Sequence, residues 1–226
     1  MPGRAHPIIT GNIYHVFNKT IDRREIFTEN NLCNKFIETI TYYRSSATVL
    51  RLSKFHQLSE EMKMYYSKHI MDINRLKVFI LAFSLMPNHY HLLLKQNQNQ
   101  GISSFISNIQ NSLTRYFNIM NKRVGPIFLH RYKSKPITNE EQLKHTSRYI
   151  HLNCYSGHIV NSLSEIISYP WSSFNEYTNP NFKIRICQKN IVLSLFNNDR
   201  SLYKKFVLDN ANHQRTLEYC KYSSKW

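Results

Sequence analysis

The stretch Met86-Pro87-Asn88-His89-Tyr90-His91-Leu92-Leu93-Leu94-Lys95 decides how this chain folds. A Pro-Asn turn leads into an aliphatic run, so the segment reads as a β-strand entered from a tight connection. Strand side chains alternate between faces, which puts His89 and His91 on one side and Tyr90 on the other. Two imidazoles one pleat apart on a rigid strand form a ready ligand pair for a divalent cation. With 11 histidines in the chain, such a pair also arises by chance. The strand carries weight only together with what surrounds it.

Working outward, Leu76 to Leu85 is strongly apolar and reads as a central strand, ended by Pro87 and paired with the histidine strand as an antiparallel hairpin. Asn12 to Lys19 reads as another strand, with Ile13, His15 and Phe17 on one face. A helix is expected to about Arg44, capped by Asn30 or Asn31, with Leu32, Phe36, Ile40 and Tyr43 at helical spacing. Thr48 to Leu52 is expected as a short strand and Lys54 to Met71 as a polar helical excursion. Gly101 to Asn121 fits an amphipathic helix broken by Gly125-Pro126. Ile127 to Lys135 is extended and basic. Asn139 is a helix cap, with Glu140 and Glu141 in the first turn, for a helix reaching about Cys154. Tyr169 to Phe174 is a turn-rich aromatic segment. Beyond Asn179-Pro180-Asn181, two short helices around 189–195 and 201–211 precede a polar basic tail. Strands and helices interleave, so an α+β fold with helices on an antiparallel sheet is expected.

Lys and Arg outnumber Asp and Glu by 30 to 14, a net charge of +16, with a pI of about 9.8. The surplus is spread along the chain, which points to a folded surface for a polyanion. A ribosomal or membrane-surface partner fits the charge as well. Hydrophobic residues make up 42% and aromatics 13%, enough for a core with aromatics left to stack on bases. Four widely spaced cysteines include no C-x-x-C pair, which argues against a zinc knuckle. The start Met1-Pro2-Gly3-Arg4-Ala5-His6-Pro7 lacks an apolar segment, and no run is long enough to span a membrane. A cytoplasmic protein with reduced thiols is expected.

On the helix after Asn139, His145, Tyr149 and Asn153 recur every four residues and share one polar face, while Leu143 and Ile150 supply the buried side. An ordinary half-exposed helix with Tyr149 packed at the sheet edge would look the same.

Four ordered blocks carry a resemblance to the single-tyrosine HUH transposases, and most closely to the REP-associated tyrosine transposase group. They are Gly11 to Lys19 with Arg23-Arg24-Glu25-Ile26-Phe27; Met86 to Leu93; Gly125-Pro126-Ile127-Phe128 through Arg131-Tyr132-Lys133-Ser134; and Arg148-Tyr149-Ile150-His151-Leu152-Asn153, with Tyr169-Pro170-Trp171-Ser172-Ser173-Phe174 beyond. The resemblance implies a ferredoxin-like HUH domain over 8–178 and a small helical, basic C-terminal extension over 179–226. It implies Tyr149 as the nucleophile that cleaves and rejoins single-stranded DNA through a 5′-phosphotyrosine, at sites containing a hairpin. It implies Mg²⁺ or Mn²⁺ held by His89, His91 and Asn153. Tyr90 departs from the bulky aliphatic of the family motif, and Cys154 stands where Pro often follows the Asn, which leaves the end of that helix open.

A tyrosine hydroxyl ordinarily ionises near pH 10, so the nucleophile needs help. His145 is a candidate proton acceptor or phosphate contact, and equally a solvated helix residue. Arg23, Arg24, Arg131, Lys133 and Lys135 are candidates for holding the DNA backbone. Tyr155, six residues after Tyr149, faces elsewhere, so a two-tyrosine initiator is disfavoured. The partner would be single-stranded DNA and not a membrane, and the chain would act as a monomer or homodimer. Two other readings stay open: a non-catalytic or domesticated nucleic-acid-binding protein of the same fold, and an RNA-binding ferredoxin-like module, though the aromatic strand signature of the latter is missing.

Overall fold

The computed structural model describes residues 7–183 and 185–223, the side chains of 221–223 excepted. The reading of Met1 to His6 lies outside these residues. In chain order the elements are β1 (Ile13–Lys19), α1 (Asn30–Tyr43), α2 (Leu52–Phe55), α3 (Glu60–Ile70), β2 (Val78–Met86), β3 (His89–Gln96), α4 (Gly101–Met120), β4 (Lys133–Ile137), α5 (Glu140–Ser156), α6 (Leu163–Ser168), α7 (Phe174–Thr178), α8 (Asn190–Leu193), α9 (Arg200–Leu208) and α10 (Ala211–Ser223). The strands form one antiparallel sheet in the order β2-β3-β1-β4. With α1 between β1 and β2 and α4 between β3 and β4, this is the βαββαβ ferredoxin-like arrangement.

The hydrophobic pattern explains the layers. β2 and β3 are apolar almost throughout because both their faces are covered. Tyr90 lies against Phe36 of α1 at a ring distance of 5.5 Å, and its hydroxyl accepts from Gln110 of α4 at 2.8 Å. That face belongs to α1 and α4. The opposite face, carrying His89 and His91, is covered by α5, whose Ile150 and Leu152 are fully buried. The Pro87-Asn88 turn joins Met86 and His89 as the last paired residues of the hairpin. Backbone N–H groups of Ile26 and Phe27 donate to the Pro87 carbonyl, and Thr20 donates to that of Asn88. The turn is therefore pinned from outside the sheet, and His89 with it.

Several expectations need correction. β2 lies at the sheet edge and not at its centre; β3 and β1 are the central strands. Its long apolar run misleads because a later segment buries the edge. Leu85 N–H donates to the Trp171 carbonyl at 2.8 Å, Ser173 N–H to that of Phe83 at 3.0 Å and Gln188 N–H to that of Ile80 at 2.8 Å, so the edge is closed against stray pairing. Residues 48–52 form no strand, and α2 begins at Leu52. Glu29, not Asn30 or Asn31, occupies the cap position of α1, with no side-chain cap bond. The supposed basic tail is largely α10, which packs along α5.

A buried polar cluster fixes α5. His151 Nε2 lies 2.8 Å from Ser173 Oγ, and His151 Nδ1 lies 2.7 Å from the Tyr203 hydroxyl, which itself donates to Ser147 Oγ at 3.1 Å. His151 thus bridges Ser173 and Tyr203 through its two ring nitrogens. Burial lowers the His151 pKa from 6.5 to about 3, and burial followed by Lys135 lowers that of His15 to about 4. Below pH 6.5 the unfolded chain takes up protons that these folded imidazoles refuse, so stability is lost as pH falls from about 6.5 towards those values. Between pH 7 and pH 5 we expect a loss of about 2 kcal/mol for each of the two groups. Urea unfolding at both pH values reads it directly, and an unchanged midpoint would contradict neutral burial.

Candidate active site

β3, β1 and α5 converge on one cavity of about 480 Å³, lined by His15, Phe17, Lys19, Met86, His89, His91, Lys135, His145, Tyr149, Asn153 and Glu218, among others. The strand register explains the group: Lys19 pairs with His89 and Phe17 with His91, while His15 pairs with Lys135 across β4. Side chains of paired residues share a face, so the strands alone assemble most of the floor. α5 supplies the roof, starting at Asn139, whose Oδ1 accepts from Gln142 N–H at 2.8 Å.

Tyr149 stands edge-on to His91, with ring centroids 5.5 Å apart and planes at 89°, and edge-on to His15 at 5.8 Å. Its hydroxyl donates to Glu218 Oε1 of α10 at 3.4 Å. Gln214, also on α10, donates to the Tyr149 carbonyl. The tyrosine thus meets the histidines of its own chain. Tyr155 is turned away, with its hydroxyl donating to Asn212.

The histidine rings are set by their hydrogen bonds. His89 Nδ1 lies 2.6 Å from Asn88 Oδ1, an acceptor, so Nδ1 carries the proton and Nε2 keeps its lone pair. His91 Nδ1 lies 2.8 Å from His15 Nε2. When His91 donates in that bond, its Nε2 is likewise left with a lone pair. Burial lowers the His89 pKa to about 4, with Lys19 adding to the effect. Burial, then His15, His89 and Lys19, hold His91 well below the ordinary histidine range. Neutral imidazole is the form that binds a metal. Asn153 is buried, and only its Nδ2 is engaged, weakly, with the Ile150 carbonyl at 3.5 Å. Two neutral imidazoles and an amide oxygen fit a Mg²⁺- or Mn²⁺-type ion with positions left open. Among the described residues no three His, Cys, Asp or Glu side chains form a metal-holding cluster, so the amide would be needed.

Of the residues singled out in the sequence, His89, His91, Tyr149, Asn153, His145 and Lys135 line this cavity. Arg23, Arg24, Arg131 and Lys133 do not. Arg24 faces a separate cleft with Glu29 and Met120. The Arg23 carbonyl accepts from Asn88 Nδ2 beside the hairpin turn. Arg131 and Lys133 are exposed, Lys133 one pleat from Lys135. Both ring nitrogens of exposed His145 are engaged, Nδ1 by Arg148 at 2.7 Å and Nε2 by Glu141 at 3.2 Å. Three titratable lining residues, His15, Lys19 and Glu218, lay outside the sequence candidates. His15 and Lys19 were signalled by their alternation along β1; nothing in the local sequence signals Glu218. The two family departures are accommodated. Tyr90 is fully buried on the far face, and α5 runs past Cys154 to Ser156, where Gly157 caps it.

A ferredoxin-like sheet with paired histidines facing a helix-borne tyrosine is the architecture that the resemblance to single-tyrosine HUH transposases implied. The comparisons point the same way: residues 48–153 match the model of the family described as transposase IS200 like. The fold is similar to the solved structure of a REP-associated tyrosine transposase bound to a REP hairpin, with a TM-score of 0.54 and 15% identity, over 81% of this chain and 89% of that one. No curated protein matches the chain. No helix among the described residues is long and apolar enough to cross a membrane.

Proposed function

We propose that this chain is a transposase that cleaves and rejoins single-stranded DNA through a 5′-phosphotyrosine on Tyr149, at sites containing a hairpin. The observation that carries the reading is the placement of Tyr149 edge-on to His91 in a cavity whose other charged groups include Lys19 and Lys135. The hairpin comes from the related structure, which holds one; the net charge of +16 supports a nucleic-acid partner.

The Tyr149 oxygen attacks the scissile phosphorus; the new O–P bond forms as the bond to the 3′-oxygen breaks, and that oxygen leaves as a hydroxyl. Covalent storage lets a second strand's 3′-hydroxyl reverse the step. Lys19 and Lys135 attract the phosphodiester and offset its charge. His89, His91 and Asn153 would hold the ion. Such an ion, when bound, draws charge from a non-bridging phosphate oxygen. Asn88 holds His89 in the tautomer that suits that task, and His15 orients the ring of His91.

Glu218 is the one carboxylate lining the cavity. Its negative charge opposes an incoming phosphate. Glu218 therefore acts as a resting contact that yields when DNA arrives. Glu218→Gln is expected to speed adduct formation by about three- to tenfold at low salt, with the gain shrinking as salt rises. A slower variant would instead make Glu218 the proton acceptor.

The test of the whole reading uses hairpin-containing oligonucleotides labelled on either side of candidate cleavage positions, with Mn²⁺ or Mg²⁺. A denaturation-resistant adduct carrying the 3′-side label is expected. Tight binding with no adduct on any substrate, in either metal, would leave a non-catalytic binder.

A further inference from the structure

We infer that the groove between α1–α2 and α4, on the sheet face opposite the histidines, binds an unpaired nucleotide of single-stranded nucleic acid. This rests on the reading that the partner is single-stranded DNA. A cavity of about 760 Å³ lies there, between Tyr43 of α1, Arg51 and Leu52 at the start of α2, and Asn108, Asn111 and Arg115 of α4. Its volume suits a nucleotide-sized ligand. Tyr43, Leu52, Tyr116 and Ile119 give it apolar and aromatic surface, set among cationic and amide side chains.

The charges are unevenly spoken for. Lys35 and His56, also at the cavity, both pair with Glu38, at 2.8 and 2.6 Å. The guanidinium groups of Arg51 and Arg115 are different. Both residues are exposed, and neither guanidinium has a hydrogen-bond, ion-pair or ring partner among the described residues. Two arginines facing each other's cavity without a carboxylate repel unless an anion joins them. No Asp or Glu occurs between Asp72 and Glu140, so α4 carries no acid anywhere.

The outer stripe of α4 continues the pattern. Asn111, Arg115 and Asn118 recur at four- and three-residue steps, with Lys122 just beyond the helix end, and a second cleft of about 580 Å³ shares Asn111 and Arg115 with the first. Amides read base edges, arginines hold phosphates, and an apolar slot takes the base. A base seated between Leu52 and the α4 wall would put its flanking phosphates within the field of both arginines. A base held in a duplex would first have to be unstacked and unpaired to enter, which costs free energy. The groove therefore selects an unpaired nucleotide and anchors it on the side of the sheet away from Tyr149.

The test is fluorescence anisotropy with a short labelled single strand and a blunt duplex of the same sequence, in a Tyr149→Phe background without divalent metal. The double change Arg51→Gln, Arg115→Gln should weaken single-strand binding about tenfold. It should also flatten the dependence of log affinity on log salt by about 1.4, from two phosphate contacts at about 0.7 each. Duplex binding should change by less than about twofold. Asn111→Asp, which puts a carboxylate in the groove, should give a similar single-strand loss, and thermal melting of each variant verifies folding. Unchanged single-strand affinity overturns the inference, and equal loss on the duplex overturns it in favour of a duplex-docking face. A wild type that binds through this groove yet never forms an adduct would sink the cleavage reading alone. A wild type that cleaves while the groove variants bind normally would sink the groove alone.

Discussion

Tyr149→Phe is expected to abolish the covalent adduct while leaving DNA binding within about twofold of wild type. The substitution removes one oxygen. The ring keeps its edge-on contacts with His91 and His15, and the hydroxyl's bond to Glu218 that is lost is a long one, at 3.4 Å. Neither the fold nor the charge of the cavity depends on that oxygen. The chemistry depends on it entirely, because no phenylalanine atom can form the O–P bond. Removal of a covalent nucleophile costs on the order of 10⁴-fold or more in rate. Tyr155→Phe is the matched control: its hydroxyl bonds to Asn212, outside the cavity, and the adduct should persist. An adduct in Tyr149→Phe that disappears in Tyr155→Phe would move the nucleophile. Loss of the adduct in both variants together with lower melting temperatures would show only that the α5–α10 packing had been damaged.

What could be read from the sequence divides along a physical line. Alternation fixes a strand's faces locally, so His89, His91 and Tyr90 could be assigned to their sides from the residues alone. Helical spacing does the same for His145, Tyr149 and Asn153. The cap at Asn139 is equally local. The edge position of β2 could not be read this way, because an apolar run records only that both faces and the edge are covered, not what covers them. Here the cover comes from Trp171, Ser173 and Gln188, nearly a hundred residues later. α10 is polar along most of its length, and its helicity owes more to packing on α5 than to a sequence pattern. Glu218, carried by that helix, was invisible for the same reason. The arginines at 23 and 24 show the opposite limit: charge in a recognisable block says nothing about which cleft the side chain faces.

His91→Ala and His15→Ala should separate a residue that holds the ion from one that orients the holder. His91 is fully buried at the centre of the cluster, flanked by His15, His89, Phe17 and Tyr149. Its removal takes away one of two imidazole donors and opens space that the amide of Asn153 cannot fill. Loss of adduct formation by about 10³-fold or more is expected, with Mn²⁺ affinity falling in parallel and oligonucleotide binding in metal-free buffer unchanged. His15 does not need to touch the ion to matter. Its Nε2 lies 2.8 Å from His91 Nδ1, so it orients the His91 ring, and when it accepts there the lone pair is left on His91 Nε2. Losing such an orienting partner costs about 10- to 100-fold in metal affinity. For His15→Ala the defect should therefore appear as a higher Mn²⁺ requirement, with most of the rate restored at saturating metal. His91→Ala should stay inactive at any concentration. If excess Mn²⁺ rescued neither variant, His15 would belong among the ligands; if it rescued both, neither imidazole would be essential and the pair on β3 would be structural.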